Sequence, residues 1–189
     1  TAVTFFRVSE AEKPLKIYFF TRTAEDTYTV SAMVEGNGTA IYRVDYVDLN
    51  GSGCKEVVVS WQMSTGVYLL GAYSLEEAMV RSLQYAASAP AGSASAQGLP
   101  DREALRATEW MTTVYDNYAL YDLDQDTRTE LAVVRVDKAG TNSAVDLYGW
   151  RDGSFMVRVS APLSMGISSV EKNGVETNFL KEDGDVPVR

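Results

Sequence analysis

The chain carries one stretch twice. Asp48-Leu49-Asn50-Gly51-Ser52-Gly53-Cys54-Lys55-Glu56-Val57-Val58-Val59 aligns without a gap on Asp122-Leu123-Asp124-Gln125-Asp126-Thr127-Arg128-Thr129-Glu130-Leu131-Ala132-Val133, 74 residues later. Residues 42–47 align on 116–121 at the same offset. Downstream, 67–71 matches 145–149 and Met79-Val80-Arg81 matches Met156-Val157-Arg158, with a slightly longer turn in the second copy. Self-similarity at a fixed period marks a repeat architecture, in which each copy is one supersecondary unit that buries its apolar face on a neighbour. An element assigned in one copy must therefore be reconciled with the other.

The pattern within and around the copies is β. Short β-branched and aromatic runs occupy 2–8, 15–21, 28–34, 40–47, 56–61 and 67–72, then 110–115, 118–121, 130–136, 144–148, 155–159 and 175–180. Turn residues separate them, among them Gly36-Asn37-Gly38, Asp152-Gly153 and Asn173-Gly174. Two stretches carry helix signals. One is 75–87, with Ser74 and Glu77 in capping-box spacing; the other is 102–111, after Pro100 and Asp101. The repeat partner of the first, 151–158, reads as a turn and a strand, so turn and strand are expected for 73–83. Between the two lies 88–99, built of Ser, Ala, Gly and Pro, which reads as a surface loop inserted in a repeat.

Each copy thus reads strand, acidic loop, strand, turn, strand, turn, strand. The expected fold is all-β, with antiparallel four-stranded blade-like repeats in an incomplete β-propeller-like plan. Two full units, 1–87 and 101–162, are joined by the loop or linker 88–100, and 163–189 begins a partial third. A closed propeller takes roughly 4–8 blades. The chain is then part of a longer protein, or its units stack as an open array or small sandwich. Opening directly on a strand suits an excised fragment, with a signal or lipoprotein segment lost upstream.

The repeated loop has the form D-x-[DN]-x-[DS]-x-x-x-E. Oxygen-bearing side chains recur at positions 1, 3 and 5, a backbone carbonyl can enter at position 7, and a carboxylate stands at position 9. Calcium takes roughly 6–8 oxygen ligands, and alternate residues of a tight turn can point inward together. The second copy offers Asp122, Asp124, Asp126 and Glu130 with the Arg128 carbonyl. The first offers Asp48, Asn50, Ser52 and Glu56 with the Cys54 carbonyl. The alternative is a metal-free Asx-type turn, whose Asp and Asn side chains accept from their own backbone. Four clustered carboxylates without a metal would raise one another's pKa. Such a loop is expected to be mobile or to hold a lysine or arginine.

Composition narrows the chemistry. The absence of histidine excludes Ser-His-Asp and Cys-His nucleophile systems and the usual zinc ligand sets. One cysteine excludes an internal disulfide. With 26 acidic against 17 basic residues the net charge is −9, which argues against a nucleic-acid partner. Six of those acids lie in the two loops, and without them the balance is nearly even. No apolar run approaches the roughly 20 residues that would insert this segment in a membrane.

A hydrophobic strand, then D-L-[ND]-x-[SD]-x-x-x-E, then an apolar strand resembles the repeats of FG-GAP/VCBS-type β-propeller proteins. These are the blades also seen in integrin α-subunit heads and many secreted bacterial proteins. The resemblance covers 42–59 and 116–133 well. It implies an extracellular or cell-surface location, non-enzymatic adhesion or binding to a surface protein or glycan, and calcium (Ca2+) in the blade loops. Two departures stand out. The first copy keeps Gly53 but only two carboxylates; the second keeps four carboxylates but has Thr127 where the sharp turn usually uses glycine.

Two other classes compete. A carbohydrate-binding accessory domain, or a carboxylate-based carbohydrate-active enzyme, would use aromatics such as Trp61 and Trp150 for stacking and Asp45, Glu76 or Glu77 as carboxylates. Aromatics are equally at home between sheets. A purely structural module would keep metal-free loops. Gly71 and Gly149 recur at one strand end and suit close backbone approach. Cys54 reads as incidental.

Overall fold

The computed structural model describes residues 2–7, 12–25, 27–88, 103–162, 169–172 and 175–178. Its elements are β1 (Ala2–Arg7), β2 (Leu15–Ala24), β3 (Thr27–Gly36), β4 (Ala40–Val47), β5 (Glu56–Ser64), β6 (Val67–Ser74), α1 (Glu76–Ser88), β7 (Thr108–Tyr121), β8 (Glu130–Val136), β9 (Asn142–Arg151), β10 (Ser154–Pro162), β11 (Ser169–Lys172) and β12 (Val175–Asn178). The fold is all-β, and its sheets are antiparallel: β1-β2-β3, β10-β9-β8-β7-β6-β5-β4 and β11-β12. Among the described residues the strands close into neither a barrel nor a propeller. The expected loop over 88–100 lies outside the described residues except for Ser88. So does most of the expected third unit, of which only the β11–β12 hairpin is described.

The repeat governs hydrogen-bond register. Val47 pairs with Glu56 and Val44 with Val59; 74 residues later Tyr121 pairs with Glu130 and Tyr118 with Val133. Even the bulge repeats, at Tyr42 in β4 and at Asp116 in β7. The third strands shift slightly. Val57 pairs with Tyr73 and Leu131 with Tyr148, so Tyr73 and Tyr148 are equivalent. Gly71 and Gly149, matched in sequence, stand three residues out of register.

Two expectations are overturned. Residues 73–83 are not turn and strand: α1 begins at Glu76. Ser74 Oγ accepts from the Glu76 amide, Glu76 and Glu77 complement the helix's positive end, and Leu75 and Ala78 are buried. The second copy instead has Asp152 and Gly153 at positive φ, the backbone a two-residue hairpin requires. The other error is the helix over 102–111. Residues from Thr108 enter β7, whose threonines and aromatics favour a pleated surface. Just before it, the Leu105 carbonyl accepts from Met33 N and Ala107 N donates to the Met33 carbonyl, which lays the segment along β3. The expected break at 116–117 also vanishes, because a bulge at Asp116 carries the strand across.

β7 is where the long sheet folds over. Its first half pairs with β6 and its second with β8. β4 and β7 stand three strands apart in the sheet, about 14 Å at ordinary strand spacing. Yet Thr129 N donates to the Asp48 carbonyl at 3.2 Å, and the Tyr118 hydroxyl donates to Asp45. The two halves therefore pack face to face. Alternation along β5 sends Val57, Val59 and Trp61 to a core shared with β2, β3 and α1, and Val58 to one shared with Leu131, Val133 and Phe155. A third core, Ala132, Val145 and Leu147 with Leu123 against it, lies on the opposite face of β8–β9.

Candidate metal centre

The two acidic loops join β4 to β5 and β7 to β8, and repeat one hydrogen-bond plan. The position-9 glutamate turns back on the loop: Glu56 Oε2 accepts from Leu49 N at 2.9 Å, and Glu130 Oε2 from Leu123 N at 2.8 Å. The position-1 aspartate caps the turn with both oxygens. Asp48 accepts from Gly51 N and Gly53 N, and Asp122 from Asp126 N and Thr127 N. Position 3 closes an Asx turn, Asn50 to Ser52 N and Asp124 to Asp126 N. Position 5 does the same for position 7, with Ser52 Oγ accepting from Cys54 N and Asp126 Oδ1 from Arg128 N.

Positions 4 and 6 of both loops have positive φ. The first copy supplies Gly51 at 74° and Gly53 at 81°; the second has Gln125 at 58° and Thr127 at 76°. A β-branched residue such as Thr127 is strained there. Gly51 is required twice over, since a Cβ would also stand about 3 Å from the Arg128 side chain of the other loop.

Only the second loop gathers carboxylates. One oxygen each from Asp122, Asp124 and Glu130 lies within 4.8 Å of the others, an acidic triad that can hold a metal ion. Asp124 is 2% exposed and Glu130 1%. Asp126 faces its own turn and Arg128, at 3.9 Å, rather than the triad. In the first loop the only other carboxylate besides Asp48 is Glu56; Asn50, Ser52 and Cys54 bring no charge, and no comparable group forms among the described residues.

A cation already reaches the triad. Arg158 Nη1 donates to Asp124 Oδ2 at 2.9 Å and lies 3.4 Å from Glu130 Oε1. Arg158 sits in the β10 bulge between Val157 and Val159, a device that re-aims a side chain. It passes over Gly149, where a Cβ would stand 2.6 Å from Arg158 Cδ. This is the arginine expected of a metal-free loop. The repeat comparison had paired Arg158 with Arg81, which instead donates to the Ala104 carbonyl. The usable signal was an arginine one strand beyond a glycine that faces the position-9 glutamate.

Burial dominates the electrostatics. It pushes Glu130 up to about 7 despite the Leu123 amide, and Asp124 adds to the rise while Arg158 opposes it. Burial pushes Glu56 to about 7 as well, again against an amide, with Asp48 and Glu76 adding repulsion.

The other candidates separate. Trp61 is 1% exposed: its ring covers Gly36 and its indole N–H donates to Tyr73 Oη, so no ligand can stack on it. Trp150 is half-buried against Trp110. Asp45 accepts from Arg43 and Tyr118, while Glu77 pairs with Arg81. Gly71 lies beneath Tyr73. Cys54 is an exposed free thiol. No family model, curated protein or solved structure matches the chain.

Proposed function

We propose that the chain is a non-catalytic binding or adhesion module of an extracellular or surface-anchored protein, built of FG-GAP/VCBS-like units, whose second acidic loop binds one calcium ion. Convergence of Asp122, Asp124 and Glu130 carries this reading. Arg158 offers one positive charge against three carboxylates, and burying the excess is costly. Calcium supplies two more charges to a set made only of hard oxygen ligands. The first loop, with no such convergence, serves as a structural turn.

A blade-like plan accounts for the packing. The Leu49 and Val58 face of one copy meets the Leu131 and Val133 face of the next. Val58 and Ala132, equivalent in the repeat, face different cores, which is consistent with copies related head to tail within one continuous sheet. The partner is a surface protein or glycan.

Calcium titration followed by melting, against EGTA, tests the metal. A ligand that binds only the folded state adds about 2.7 kcal/mol at a hundredfold excess over its Kd. The melting temperature should rise in wild type and not in Asp124→Ala. A second reading, a metal-free structural loop, is favoured by the Arg158 contact. It predicts no calcium response in either protein.

A further inference from the structure

Among the described residues the first core is open at the end where Cys54 and Lys55 of the first acidic loop meet it. A cleft of about 450 Å³ opens between the three-stranded sheet, Tyr46 of β4 and the start of α1. Phe19 and Leu75, both buried, line its inner part; Met79 flanks it, and Lys55 and Glu76 stand exposed at its outer part. Protein interiors pack as densely as organic crystals, and side chains bordering a gap forfeit dispersion contacts. A mostly apolar opening of this volume with a few polar groups at one end has the character of a small-molecule site.

From this we infer that the cleft binds an uncharged amphiphile, one apolar chain or ring system ending in a hydroxyl or carbonyl. Tyr46, itself 36% exposed, brings a hydroxyl to the lining. Its ring stands edge-on to Phe19, with centroids 5.6 Å apart, and its hydroxyl has no hydrogen-bond partner among the described residues. The charges set the ligand's sign. The lining carries one lysine, Lys55, and one glutamate, Glu76, so the cleft itself holds no strong preference for either sign. Glu56 lies near both Glu76 and Asp48, and the chain carries −9 overall, so an anion is repelled. Lys55 makes no ion pair among the described residues and repels a cation at the entrance.

The uncharged dye N-phenyl-1-naphthylamine tests this on the intact chain. It should bind saturably, one per chain, with blue-shifted emission. Decanol should displace it at least tenfold better than decanoate or decylamine. Met79→Trp, folded by circular dichroism, should weaken dye binding at least tenfold. Tyr46→Phe, which keeps the ring, should weaken decanol several-fold and leave the dye unchanged. A nitroxide on Cys54, the sole cysteine and part of the cleft lining, should quench the bound dye; this locates it even if Met79→Trp does not fold. Absence of saturable binding, unquenched bound dye, or equal displacement by all three competitors would overturn the inference.

Discussion

The two acidic loops share backbone, register and hydrogen bonds, yet they solve the same turn with opposite economies. The first spends glycine on its two left-handed positions and keeps few charges, so it closes without help. The second forces Gln125 and Thr127 into those positions, buries Asp124 and Glu130, and depends on Arg158 from a strand outside the loop. A conformation can thus be copied while its energetic support is moved elsewhere. Position-by-position resemblance between repeats says what shape a loop takes, not what pays for it.

Arg158→Ala should separate the loops most sharply. Removing one partner of a buried charge pair costs about 3–5 kcal/mol. Urea unfolding in EGTA should show that loss, and calcium should recover part of it if the triad binds the metal. Among the described residues no cation holds the first loop in this way.

Glutamate-to-glutamine changes come next. For a carboxylate whose folded pKa is raised from its ordinary 4.5 to about 7, the folded state holds more protons than the unfolded across that interval. Stability therefore falls as pH rises from about 4.5 to about 7 and is level above it. Glu56→Gln keeps an acceptor for Leu49 N and should flatten this slope, gaining about 2 kcal/mol at pH 8. Glu130→Gln should gain less, because it also loses the contact with Arg158. Equal gains in a pH series of denaturation curves would refute the difference drawn between the loops.

The smallest effects concern backbone. Thr127→Gly should stabilise by about 1 kcal/mol through relief of strain, and Gly53→Ala should destabilise by a similar amount. A Cβ at Gly53 meets nothing within 4 Å, so only conformation is tested there.

Local features were legible in the sequence. The 74-residue offset, read from the sequence, matches the shared register of β4–β5 and β7–β8, because equivalent positions alternate alike between faces. The bulge was not read from it: Tyr42 and Asp116 occupy the same repeat position but share no chemistry that marks a bulge. What failed was non-local. Nothing within 75–87 says that its apolar side will find Ala32 and Val34 to pack on, which is why a matching strand in the other copy outweighed a genuine cap. Trp61 reads as a surface aromatic until Gly36 is brought beneath it. Arg158 is 28 residues from Glu130 in sequence, and only the pairing of β9 and β10 carries it to the triad.

The excursion between β6 and β7 bears on the order in which the chain folds. Adjacent strands there are separated by 33 residues, whereas Asp152 and Gly153 alone join β9 to β10. Closing the longer loop costs about 2 kcal/mol more conformational entropy. The meander β8–β10 should consequently form first and template β7, and β6 should dock late, once α1 has settled on β3. Pulse-labelled hydrogen exchange should find amides of β8 and β9 protected before those linking β6 to β7.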